Sequence, residues 1–177
     1  LIFSRVEPTR LAFALLALVL GTDLIWSLAI GSTGMAAYGL VDEPAHLATC
    51  AMVLLAMGAA AGRLPVRFVV AALCASVAID VDHLPGYLGW HALTGSLPRP
   101  YSHSLVLAGA LVAFGCVTHR DRREVSLGLA LGVSAHLLRD LATGPGVPLA
   151  WPLSSHVFTM PYAYFALALA IALVAVA

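Results

Sequence analysis

Charge is what this sequence has least of. Charged residues make up 10% of its 177 positions against 61% hydrophobic, and lysine is absent altogether. A soluble domain runs nearer a quarter charged and half apolar, so a water-soluble enzyme is excluded. Nine Arg balance nine acids, and a net charge of zero excludes a basic nucleic-acid binder. Cysteine is scarce too. Cys50, Cys74 and Cys116 stand singly in apolar stretches with no CxxC pair, which excludes a disulfide scaffold and reads as small buried thiols. H-E-x-x-H is also missing, which argues against a membrane metalloprotease of that type. What remains is an all-α, polytopic membrane protein. No repeat, charge block or low-complexity linker divides it, so 1–177 reads as one domain. The chain begins with Leu, which leads us to expect a trimmed native N-terminus or a removed targeting segment.

A bilayer core about 30 Å thick needs roughly 17 to 25 apolar residues per helix. The hydropathy pattern predicts about six spans, over 11–31, 45–62, 66–83, 103–118, 125–142 and 160–177. Gly62-Arg63-Leu64-Pro65 and the run from His119 to Glu124 read as tight polar turns. Two longer connections, 84–102 and 143–159, hold most of the proline. Counting Arg sets the orientation. One side of an alternating bundle carries Arg5, Arg10, Arg63, Arg67, Arg120, Arg122 and Arg123, the other only Arg99 and Arg139. Both termini are therefore expected in the cytoplasm of an inner-membrane protein, with the long loops outside. Trp26, Trp90, Trp151 and every Tyr also fall toward the outer side.

Ionisable groups inside spans are costly and mark functional sites. Here they gather. Asp42, Glu43 and His46 begin the second span, and Asp80, Asp82 and His83 end the third. Arg99 and His103 introduce the fourth, and His136, Arg139 and Asp140 close the fifth. Start, end, start, end in alternating helices puts all four groups at one face, the outer one. His136 and Asp140 share an i, i+4 spacing, as do Asp42 and His46, while Asp80 and His83 are at i, i+3, so each pair projects from one helix face. Imidazole and carboxylate are the N and O donors of Zn2+ sites, and mixed ligation of this kind also suits Mn2+ or Fe. The surplus of donors fits two or more ions, or one ion with charged neighbours. Simpler readings exist for single members. Asp42 or Glu43 ahead of Pro44 could cap the second helix, and Arg139 could snorkel to headgroups. His91 and His156 read as ordinary loop residues that could complete a shell, and His119 is on the wrong side. Asp23, in mid-span, reads as paired or facing a polar cavity, with a proton-relay role as the alternative.

With these residues assembled, the sequence resembles the YdjM-like, LexA-regulated family of inner-membrane metal-dependent hydrolases, over about Asp42 to Pro152. Asp42-Glu43-Pro44-Ala45-His46 looks like the family's opening D-P-x-x-H element with an extra acid. Asp80-Val81-Asp82-His83 matches D-x-D-H, and Arg99-Pro100-Tyr101-Ser102-His103-Ser104 resembles H-R-G-x-T-H-S. His136, Asp140 and Thr143 followed by Gly146, Trp151 and Pro152 match the closing H-x-x-x-D-x-x-T…G-x-x-x-x-W-P signature. Two positions depart: Pro98 stands where the family has His, and Pro100 where it has Gly. A ligand or proton-transfer group is then absent, or supplied by His91.

The family is grouped with zinc phospholipase C and P1-type nucleases, and that kinship implies phosphoester hydrolysis at a metal cluster without fixing a substrate. The expected metal ligands are His46, Asp80, His83, His103, His136 and Asp140, with Asp82 as ligand or general base and Asp42 or Glu43 as additional donors. Arg99 and Arg139 are the outer-side cations expected to hold a phosphate. At about 1.5 Å per residue, His136 lies roughly 9 Å inside the end of its span. That depth, with Tyr87, Trp90, Tyr101 and Trp151 at the rim, suits a membrane lipid with a phosphorylated head as substrate. The alternative is a transporter or channel using the cluster as a cation site.

Overall fold

The structure, a computed structural model, describes residues 7–29, 35–91, 97 and 99–177. Its helices are α1 (Pro8–Ala29), α2 (Met35–Ala61), α3 (Val66–Ala78), α4 (Leu84–Tyr87), α5 (Leu105–Val117), α6 (Arg120–Thr143) and α7 (Tyr162–Val176). A 3-10 segment, Ile79–His83, joins α3 to α4. Among the described residues no strand forms; one isolated antiparallel bridge pairs Val147 with Phe158. Four stretches are long and apolar enough to cross a membrane: Pro8–Leu28, Val41–Ala61, Val66–Gly86 and Arg120–Thr143.

The other two expected spans are apolar helices of lesser length. The 13 residues of α5 and 15 of α7 rise about 20 Å and 22 Å at 1.5 Å per residue. Non-helical chain takes over at the site end of both. Its backbone is satisfied by specific partners: Leu105 N donates to Leu149 O at 2.9 Å, Met160 N to Leu141 O at 2.6 Å, and Val147 and Phe158 exchange two 2.9 Å bonds. Such pairing is what irregular backbone needs where water is excluded.

Two boundaries differ from the sequence expectation. α2 begins at Met35, so Pro44 sits inside the helix and Asp42 and Glu43 are interior residues rather than caps. Proline forfeits one i→i−4 bond there, and the helix continues through it. The expected polar turn at 119–124 is instead mostly the first turn of α6. Arg120 reaches Glu124 at i, i+4 over 3.2 Å, and Asp121 lies in the first turn where the helix dipole favours an acid. The thiols also differ. Cys50 is buried, but Cys74 and Cys116 are exposed, on the outward faces of apolar helices.

The bundle is apolar outside as well as inside. Phe13, Ile25, Val70, Phe114, Leu167 and Ile171 face outward, while His46, His103, His136, Arg139 and Asp140 are enclosed. α6 is the central helix, packed against α2, α3, α5 and α7. Its closest approach is to α3. A Cβ placed on Gly128 would stand 2.3 Å from Phe68 O, and one on Gly132 would stand 2.2 Å from Ala72 O. The two glycines are four residues apart, and the small residues Ala71, Ala72, Ala75 and Ser76 are buried on α3. Small residues at this spacing let helix backbones touch where lipid removes the hydrophobic drive for association. His136 is four residues beyond Gly132, and its ring meets Ser76 O, four residues beyond Ala72. The glycine seam thus runs straight into the polar cluster.

Candidate metal centre

Four segments converge where the seam ends. α2 supplies Asp42, Glu43 and His46, and the 3-10 segment supplies Asp80, Asp82 and His83. The chain before α5 brings Arg99 and His103, and α6 brings His136, Arg139 and Asp140. The 3-10 winding turns Asp80 and His83 to one side, because i and i+3 eclipse there, and Asp82 of the same segment groups with His83 and His103. Ser104 caps α5 by accepting from Leu107 N at 3.3 Å, which starts that helix immediately after His103.

Three donor groups overlap: His46, His136 and Asp140; Asp80, His103 and His136; and Asp82, His83 and His103, each set within 4.8 Å. The first is fully buried, and the last includes the partly exposed Asp82 and His83. The cluster therefore has a closed end and an open end. At its middle, Asp80 Oδ1 lies 3.0 Å from His103 Nε2 and 3.4 Å from the Nε2 atoms of both His83 and His136. His136 Nε2 is also 3.2 Å from Asp140 Oδ2. His46 stacks on His136 with ring centres 3.8 Å apart and planes 13° apart.

The donor chemistry fits a cation. His136 Nδ1 is 2.9 Å from Ser76 O. A carbonyl only accepts, so this nitrogen carries the hydrogen and Nε2 of the neutral ring is left with its lone pair. His136 Nε2 and Asp140 Oδ2 are both buried without a hydrogen-bond partner, as are His46 Nδ1 and His103 Nδ1. Two carboxylates facing Nε2 call for positive charge at this point, which a proton on the ring or a metal ion bound by its lone pair would supply. Metal-ligating histidines commonly give their other N–H to a backbone carbonyl, which fixes the ring as Ser76 does here.

The surrounding charges have distinct settings. Arg99 is buried and donates from Nη2 to Asp140 Oδ1 at 2.8 Å. Gly144 makes room for it, because a Cβ there would meet Arg99 Nη2 at 2.4 Å. Arg139 is directed inward rather than to headgroups. Its Nη1 donates to Asp23 Oδ1 at 2.6 Å and its Nη2 to Asp42 Oδ1. Asp42 Oδ2 lies 3.1 Å from His46 Nε2. Ser102 Oγ donates to Asp82 Oδ2, while Asp82 Oδ1 is buried without a hydrogen-bond partner. Glu43 lies against Asp80 at the edge of the cluster. Tyr101 and Trp151 stack at 4.3 Å, nearly parallel, on the neighbouring loops.

All the sequence-predicted donors thus meet at one end of the bundle. His91 and His156 fall outside the three donor groups, and His119 is at the start of α6, the far end. Pro98 lies outside the described residues. Sequence reading missed the Ser76 carbonyl, the Ser102 hydroxyl and the space at Gly144. A backbone acceptor leaves no mark in a sequence. Gly128, Gly132 and His136 at successive i+4 positions were the one visible signal of the seam.

Fold and site together define a helical, membrane-crossing protein with a buried His/Asp cluster able to hold metal. A family model described as YdjM inner membrane protein matches residues 41–177, and the chain belongs to that family. The match begins within α2, at residue 41, leaving α1 outside it. No curated protein and no solved structure matches the chain.

Proposed function

We propose that this protein is a membrane-embedded, metal-dependent hydrolase that cleaves a phosphoester or pyrophosphate of a lipid at the extracytoplasmic leaflet. The observation that carries the reading is His136 Nε2 lying 3.4 Å from Asp80 Oδ1 and 3.2 Å from Asp140 Oδ2, inside a ring of further His and Asp donors. His46, His136 and Asp140 would hold an ion at the closed end, with Asp80, His103, His83 and Asp82 toward the open end. Zn2+ suits this donor set best, and Mn2+ or Fe would also be accepted. The chemistry a divalent ion supplies when bound is activation of water near neutral pH and polarisation of a phosphoryl oxygen.

The chain's own groups supply the rest. Asp82 has one oxygen held by Ser102, and its other oxygen, free of a hydrogen-bond partner, would take a proton from water. Both arginines keep a buried Nε without a hydrogen-bond partner, but Arg99 uses only Nη2, on Asp140, which makes it the cation suited to a phosphate oxygen. Arg139 has both Nη atoms engaged on Asp23 and Asp42, which suits it to holding the site's shape. Val81, Leu84, Leu88 and Trp90 are exposed beside Asp82 and His83, an apolar border fitting a lipid tail next to a polar head. The outer-leaflet placement rests on the Arg asymmetry of the sequence.

The test is turnover of lipid phosphates and lipid pyrophosphates by the purified chain. Phosphate release that is lost on chelation, restored by Zn2+ and abolished by His136→Ala is the expected result. Metal flux across liposomes with no hydrolysis would contradict the reading in favour of a cation pathway.

A further inference from the structure

Asp23 is the sole acid in α1 and lies outside the region matched to the family. An acid within a membrane span is costly and needs a partner. Both its oxygens are committed: Oδ1 accepts from Arg139 Nη1 at 2.6 Å, and Oδ2 accepts from the Tyr162 hydroxyl at 2.6 Å. Arg139, 1% exposed, gives its other Nη to Asp42 Oδ1, and Asp42 Oδ2 lies on His46 Nε2. A continuous polar path therefore runs from α7 through α1, α6 and α2 to a donor of the cluster.

The geometry points to Asp23 and Tyr162 as positioning residues of the metal centre, acting through Arg139 and Asp42 on His46. This rests on the metal reading above. A guanidinium is a planar fork that binds a carboxylate best with two parallel bonds. Left alone with Asp42, Arg139 would take both carboxylate oxygens and draw Oδ2 away from His46. Asp23 draws Nη1 to itself and so sets the orientation of the guanidinium, in which Arg139 meets Asp42 through Nη2 alone and leaves Asp42 Oδ2 for the imidazole. The Tyr162 hydroxyl fixes the Asp23 carboxylate in the orientation that does so. One Arg between two Asp also leaves this group with an excess negative charge beside the cluster, which favours a cation there.

The experiment is Co2+ binding to the full chain in detergent, read as affinity and as the visible absorption of the bound ion, for wild type, Tyr162→Phe and Asp23→Asn. Tyr162→Phe removes one hydroxyl and keeps the ring beside Phe165, at 5.7 Å between centres, so it tests the path with the fold intact. The expected result is an altered Co2+ spectrum in both variants, with affinity lowered severalfold by Tyr162→Phe and about tenfold or more by Asp23→Asn, as for other groups that orient ligands. Asp121→Asn, which breaks the remote Arg67–Asp121 pair, should leave the spectrum unchanged. Wild-type affinity and spectrum in Tyr162→Phe and Asp23→Asn would overturn the positioning role, even if thermal stability fell. Absence of Co2+ binding by the wild type would overturn the metal reading itself, and this proposal with it.

Discussion

His136 and Ser76 meet across the α3–α6 seam, with imidazole Nδ1 2.9 Å from the serine's carbonyl oxygen. The contact ties helix packing to ligand chemistry. The backbones must come this close for the carbonyl to reach the ring, and the bond then decides which nitrogen faces Asp80 and Asp140. Gly128 and Gly132 permit the approach, so the centre depends on residues that carry no functional group.

Replacing Gly132 by alanine should therefore damage both packing and site. Its Cβ would stand 2.2 Å from Ala72 O, a backbone atom with little freedom to yield. Over-packing of this kind costs about 1–3 kcal/mol, measurable as a lowered unfolding temperature in detergent. Gly109→Ala in α5 is the control, since nothing lies within 4 Å of its Cβ. It should be neutral or slightly stabilising, by up to about 1 kcal/mol. Equal stability of the two variants would count against the seam.

Gly144→Ala probes Arg99 without touching it. The added methyl would overlap Arg99 Nη2 and come within 2.9 Å of Asp140 O. The guanidinium, the far end of a flexible side chain, should swing off Asp140, with a small shift where the methyl meets Asp140 O at the end of α6. On the proposed function, Arg99→Ala lowers kcat about 100-fold or more, as loss of a transition-state donor does, and Gly144→Ala falls between it and wild type. Steady-state kinetics on a lipid phosphate check this. Wild-type kcat in Gly144→Ala would mean that Arg99 does not act from its position on Asp140.

A good part of this architecture was legible in the sequence. The clustering of Asp80, Asp82 and His83 at a helix end, opposite the start that bears His46, marked the site because acids in spans survive only with partners. Helix lengths were less legible. Hydropathy alone does not separate a helix from apolar chain held by loop hydrogen bonds, so the shortness of α5 and α7 emerged only with the Leu105–Leu149 and Met160–Leu141 bonds. Pro44 misled for a physical reason: proline favours a first turn, but an embedded helix tolerates the one missing bond. The pairing of Asp23 with Arg139 joins positions 116 residues apart, and no local pattern in one sequence predicts it.

The orientation has its own test. A reporter inserted between Thr118 and His119, in the connection from α5 to α6, should lie in the cytoplasm, on the side rich in Arg. Display of the reporter on the outside would move the centre to the cytoplasmic leaflet and change the lipid pool available to it.

The central claim is that the His/Asp cluster binds metal, and elemental analysis of the purified protein tests it most directly. Wild type should retain at least about one divalent ion per chain after exhaustive dialysis, as tightly held catalytic Zn2+ does, and His136→Ala should lose it while still folding as a helical membrane protein. A wild type free of metal that also takes up none from added Zn2+, Mn2+ or Fe2+ would contradict the account, as would a His136→Ala variant with undiminished metal content.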